Sequence, residues 1–134
     1  MTRLAPALLI GGTCVALPLS AYGEQAKLAM LDQLESGAWE LRQPGAGGPV
    51  RSICLDSGRK LIQLRHPDLA CNSVIVEDTP NAVTVQYTCH GQGYGRTHVR
   101  RETNSLIQLD SQGIVDGRPF AFAAEGRRVG TCRS

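Results

Sequence analysis

Cys71-Asn72-Ser73-Val74-Ile75-Val76-Glu77 and Ala82-Val83-Thr84-Val85-Gln86-Tyr87-Thr88-Cys89, joined by Asp78-Thr79-Pro80-Asn81, decide how this chain folds. β-Branched residues crowd both arms and turn-forming residues separate them, so the stretch reads as a β-hairpin bounded at each end by a cysteine. Pro80-Asn81 specifies a turn less sharply than Asn-Gly does, and two registers follow. A turn symmetrical about Pro80 sets Cys71 opposite Cys89 and Ile75 opposite Val85, with Val83, Val85, Tyr87 and Cys89 on one face. A two-residue Pro80-Asn81 turn shifts the pairing by one, brings Val74 and Val76 inward opposite Tyr87 and Val85, and makes Cys71 miss Cys89.

Downstream, His90-Gly91-Gln92-Gly93-Tyr94-Gly95 reads as a glycine-rich hairpin loop, because no helical pattern follows it to make a phosphate cradle. Arg96 to Thr103 alternates as a polar strand, Thr103-Asn104-Ser105 turns the chain, and Leu106 to Ser111 forms the next strand. Gln112-Gly113 signals a bulge or break. Asp116-Gly117 is the strongest two-residue turn signal present, and Arg118 to Val129 makes the last strand, with Phe120 and Phe122 on one face.

Upstream, Leu28, Leu31 and Leu34 recur at helical spacing, which predicts an amphipathic helix over 24–36 stopped at Ser36-Gly37. Ala38 to Arg42 alternates and places Trp39 and Leu41 on one face, with Trp39 read as core. Val50 to Leu55 is a second strand, and Asp56 or Ser57 caps a short helix carrying Leu61, Ile62 and Leu64. His66-Pro67 ends that helix, since the residue before proline is driven out of helical space. The sum is a mainly β protein: an antiparallel meander of about six or seven strands, a twisted sheet or partly closed barrel. One N-terminal helix and one short helix between strands 2 and 3 complete it.

The chain of 134 residues opens with one early arginine and an apolar run from Leu4 to Leu19, followed by Ala21-Tyr22-Gly23. These are the parts of a secretory signal peptide, too short to span a bilayer well, and cleavage is expected after Gly23. Residues 24–134 then form a single domain, located in the periplasm or secreted, without a transmembrane segment. Cys14 falls in the leader. Cys54, Cys71, Cys89 and Cys132 remain, an even number that in an exported chain implies two disulfides. The symmetrical register favours Cys71–Cys89 with Cys54–Cys132; the shifted one favours Cys54–Cys71 with Cys89–Cys132. The former is preferred. No C-x-x-C spacing supports zinc or redox chemistry.

Residues 24–94 carry 6 basic and 8 acidic side chains, whereas residues 95–134 carry 7 arginines and 4 acids. That bias, with few aromatics, is too weak for nucleic-acid binding.

Gly37-Ala38-Trp39-Glu40, four cysteines with a glycine-rich loop after the third, and the ending Gly126-Arg127-Arg128-Val129-Gly130-Thr131-Cys132 resemble the small exported bacterial proteins grouped as domain-of-unknown-function family 3617. The resemblance spans nearly all of the mature chain. It implies an envelope or periplasmic protein and supplies no catalytic residues.

His66, His90 and His98 show no metal-ligand spacing, and no cofactor motif or nucleophile elbow is visible. Arg96, His98, Arg100 and Glu102 share one strand face, and Arg127 and Arg128 face opposite sides of the last strand. Arg96, His98, Arg100, Arg127 and Arg128 are therefore the candidates for binding an anion or ligand, although solvated ion pairs and structural arginines are the simpler reading. The function expected is a non-enzymatic envelope module that binds a protein, an envelope polymer or a small ligand. The alternatives are a small acid-base hydrolase using His98 and Glu102 with arginines, and a carrier holding a small apolar ligand in the concave face, which requires a cavity under Trp39 and Phe120.

Overall fold

Strand-forming arms and tight turns repeat along the chain, and the computed structural model, which describes residues 27–45 and 47–133, assembles them into one antiparallel sheet. In chain order the elements are α1 (Ala29–Asp32), β1 (Gly37–Arg42), β2 (Val50–Leu55), a 3-10 turn (Gly58–Leu61), β3 (Asn72–Asp78), β4 (Ala82–Cys89), β5 (Gly93–Thr103), β6 (Leu106–Val115) and β7 (Arg118–Gly130). The strands lie in the order β2-β1-β7-β6-β5-β4-β3. Strands β3 to β7 form the expected meander. The β1–β2 hairpin then joins the far side of β7, so β2 and β3 are the two edges and the sheet is not closed. The expected leader, residues 1–23, lies outside the described residues.

Several boundaries differ from those expected. Within the described residues the N-terminal helix is a single turn, and its C-cap is Gln33 rather than Gly37. Gly37 instead opens β1 with φ 140°, a conformation that side-chain-bearing residues rarely adopt. Strand β6 does not break at Gln112-Gly113 but pairs with β7 without interruption as far as Val115. The Asp116-Gly117 turn has both central φ angles positive, 50° and 75°, as a type I′ hairpin requires.

Period-two alternation puts Trp39 and Leu41 of β1, Val83, Val85 and Tyr87 of β4, Val99 of β5, and Ile107 and Leu109 of β6 on one face, all buried. Leu28, Met30, Leu31 and Leu34 around α1, with Leu61 of the 3-10 turn, cover that face. Each such side chain contributes roughly 1.5–3 kcal/mol when fully removed from water. Trp39 is entirely buried, and its indole N–H donates to the Glu35 carbonyl at 2.9 Å. This is the core role expected of it.

The central hairpin adopts both of the expected registers, one at each end. Near the turn, Asp78 pairs with Val83 and Thr79 N–H donates to the Ala82 carbonyl at 2.9 Å, so the loop is the two-residue Pro80-Asn81. Beyond a β-bulge at Val76 the pairing changes to Ile75 with Val85 and Asn72 with Thr88. That register carries Cys71 opposite Cys89, and the two are bonded with a Cα–Cα separation of 4.3 Å. The other disulfide joins Cys54 to Cys132. The bulge also sorts two carboxylates. Glu77, opposite Thr84, lies on the outer face, while Asp78, opposite Val83, accepts a hydrogen bond from Leu28 N–H at 2.9 Å and anchors the start of α1.

Candidate functional site

Residues 56–71 leave the end of β2 and run across the inner face of the sheet before entering β3. Polar groups buried by that crossing must find partners, since an unpaired one costs about 1–3 kcal/mol. Thr97 O–H donates to the Ile62 carbonyl, which leaves Thr97 Oγ1 to accept from Ser111 at 2.8 Å. His66 Nε2 lies 3.1 Å from the Gln92 carbonyl, which only accepts, so the neutral ring carries its proton there. Its Nδ1 then accepts from Tyr87 O–H at 2.9 Å. Burial pushes the Tyr87 hydroxyl up to about 12. The Tyr87 ring lies against Gly95, where an added Cβ would come within 2.5 Å of the phenolic oxygen. His66 is thus a buried tie between crossing and sheet, a role that its place before proline does not reveal.

The outer-face residues singled out in the sequence do not converge. Arg96, His98, Arg100 and Glu102 alternate with the inward Thr97 and Val99 as β5 geometry demands. His98 Nδ1 bonds Thr84 Oγ1 at 2.8 Å, and that hydroxyl in turn donates to Glu77 at 3.3 Å. Glu102 instead pairs with Arg100 at 3.2 Å, so no acid-base pair forms between His98 and Glu102. Four residues of extended chain hold them about 13 Å apart. Arg127 pairs with Glu125 at 3.2 Å, an exposed, solvent-screened interaction of little weight. Arg128 faces the other way and its Nε donates to the Ser36 carbonyl at 2.8 Å, closing the end of the sheet beside Glu35. Of these, Arg96 and His98 border a common depression among the described residues, a shallow shelf of about 490 Å³ completed by Asp110 and Gln112 and floored by Ala121 and Ala123.

A larger cleft, about 680 Å³, opens between the two edges of the sheet. Arg51 and Ile53 of β2 form one wall and Ser73 of β3 the other, with Leu28, Ile62 and Leu64 beneath. Cys54 and Cys71 also line it, so each edge strand is stapled beside the opening by its own disulfide. Two of the bases at the rim are occupied. Arg59 makes paired bonds to Asp32 at 2.8 and 2.9 Å and a third to the Lys27 carbonyl; that hydrogen bonding holds the Asp32 carboxyl below its usual range. Lys60 pairs with Asp56 at 3.0 Å. Arg51 has no ion pair or hydrogen bond among the described residues. Nothing in the spacing of the sequence joins β2 to β3, and only the pairing of β1 with β7 brings both edges to one opening.

The cavity that an apolar-ligand carrier requires under Trp39 and Phe120 is not what these two residues form. Trp39 sits in the filled core, and Phe120 packs against the Arg65 guanidinium at 5.3 Å and the His66 ring. Among the described residues no group of three His, Cys, Asp or Glu is placed to hold a metal, and no helix is long and apolar enough to cross a membrane.

The fold and cleft define a small, cystine-tied open β-sheet protein with an opening between its edges. Comparison with protein-family models, curated proteins and solved structures finds no match to this chain.

Proposed function

We propose that this is an exported envelope protein, periplasmic or secreted, that works by binding, with the cleft between β2 and β3 as its seat. The observation that carries the reading is the cleft itself: apolar Ile53, Ile62 and Leu64 beside Arg51, which has no ion pair among the described residues, with walls pinned by disulfides. Binding sites are typically concave and mainly apolar, with a few fixed polar groups. Disulfides placed on both walls favour a pre-formed opening in an oxidising compartment. Membership of domain-of-unknown-function family 3617 belongs to the same proposal and rests on the motifs around Trp39 and Cys132.

The test is native mass spectrometry of the protein recovered from envelope extracts with its disulfides intact, beside an Ile53→Lys variant. A bound species on the native protein that is missing from a variant of unchanged circular dichroism supports the cleft. Equal retention by both proteins moves the site elsewhere, with the Arg96–His98 shelf the next place to mutate.

A further inference from the structure

The strand directions define what the cleft lacks. Going from β2 to β3 through the sheet takes six antiparallel steps, β2-β1, β1-β7, β7-β6, β6-β5, β5-β4 and β4-β3. An even number of reversals leaves β2 and β3 pointing the same way. They cannot pair antiparallel with each other, but one strand running opposite to both can pair antiparallel with each. We propose that the cleft is the place of a missing eighth strand, filled by an extended peptide from a partner protein. This rests on the cleft being the binding seat.

Three observations specify that peptide. Both flanking strands are edges, whose free N–H and C=O groups are a template for another strand. Apolar side chains wait on both sides of the gap. Ile53, Ile62 and Leu64 lie on the inner side, while Val50, Val74 and Val76 on the edge strands themselves are 46%, 68% and 49% exposed. Charge is also left over: Arg51 and Asp68 are the lining charges without an ion pair among the described residues. The fitting peptide is therefore proline-free, apolar at alternate positions, acidic beside Arg51 and basic or polar beside Asp68. Six residues of β2 set its paired length at about 20 Å. An eight-stranded barrel is just wide enough for side chains to fill, and residues 56–71 already occupy its interior. The bulge at Val76 limits pairing on the β3 side to its first half.

A phage-displayed library of random peptides long enough to span β2, selected on the disulfide-intact protein, tests this. Enrichment of alternating, proline-free, acid-bearing sequences is expected. A selected peptide should slow amide exchange about tenfold or more at both 50–55 and 72–75. The exposed Arg51→Glu variant, which does not threaten the core, should invert the charge preference of the selected peptides. No enrichment, or protection at one edge alone, overturns the proposal. If peptides fail while palmitate binds and is lost in Ile53→Lys, the cleft remains the seat and the occupant is an amphiphile. If neither probe binds, the cleft itself is refuted as the seat.

Discussion

The β3–β4 and β6–β7 hairpins are both closed by two-residue turns, yet they keep register in different ways. In β6–β7 the Asp116-Gly117 turn sets a pairing that holds without interruption from Val115–Arg118 to Leu106–Arg127. In β3–β4 the Pro80-Asn81 turn sets a pairing that lasts only two residue pairs before Val76 bulges out and the register changes. Inner-face packing explains the difference. Between β6 and β7 the turn register already places Ile107 and Leu109 inward, so turn and core agree. Between β3 and β4 it would put Cys71 out of reach of Cys89 and bury Val74 in place of Ile75. One extra residue on an edge strand reconciles the two demands, and an edge is where a bulge costs least.

Replacing Cys71 and Cys89 together by serine should have the largest effect on this contrast, for it removes a cross-link over 18 residues, worth about 3 kcal/mol. Exchange should quicken in β3 while β6–β7 stays protected. Deleting Val76 should remove only the bulge: Glu77 opposite Thr84 would be followed directly by Ile75 opposite Val85, a continuous ladder in which Cys71 still meets Cys89. Non-reducing peptide mapping should still find the Cys71–Cys89 bond; free Cys71 and Cys89 would show that the extra residue is needed to bring them together.

Gly117→Ala strains a turn position at φ 75° and should cost about 1 kcal/mol, read from chemical denaturation. The β6–β7 register should survive, because a ten-pair ladder outlasts one strained residue. The smallest effect near neutral pH belongs to Tyr87. Its ordinary value is 10.0 and its folded value is raised to about 12, so the folded state holds the proton more tightly. The stabilisation is fully present below pH 10 and falls away as pH rises toward 12, a trend that Tyr87→Phe should remove.

Much of this was legible before folding. Alternation, β-branching and turn residues together located the seven strands in outline, although β5 starts at Gly93 and β6 runs on to Val115, and Asp116-Gly117 specified its turn because local chemistry suffices there. The row of Arg96, His98, Arg100 and Glu102 was correctly placed on one face, for side-chain direction on a strand is local. Their partners were not legible, because Thr84 reaches His98 only through the β4–β5 register. The helix expected over 24–36, a single turn within the described residues, and the bulge or break expected at Gln112-Gly113 differ from the structure for one reason. Propensity and glycine content describe what a segment tolerates, and packing decides what it does.

Residue pattern alone was enough to show that this chain makes short antiparallel strands, carries four cysteines beyond an apolar N-terminal run, and offers Pro80-Asn81 as a turn. Period, branching and turn chemistry act over a few residues and can be read there. The fold as a whole was needed to set Cys71 opposite Cys89 past a bulge, to pair β1 with β7, and to leave β2 and β3 as parallel edges around an opening. Those outcomes depend on burying one shared apolar face, a global constraint that no single stretch contains.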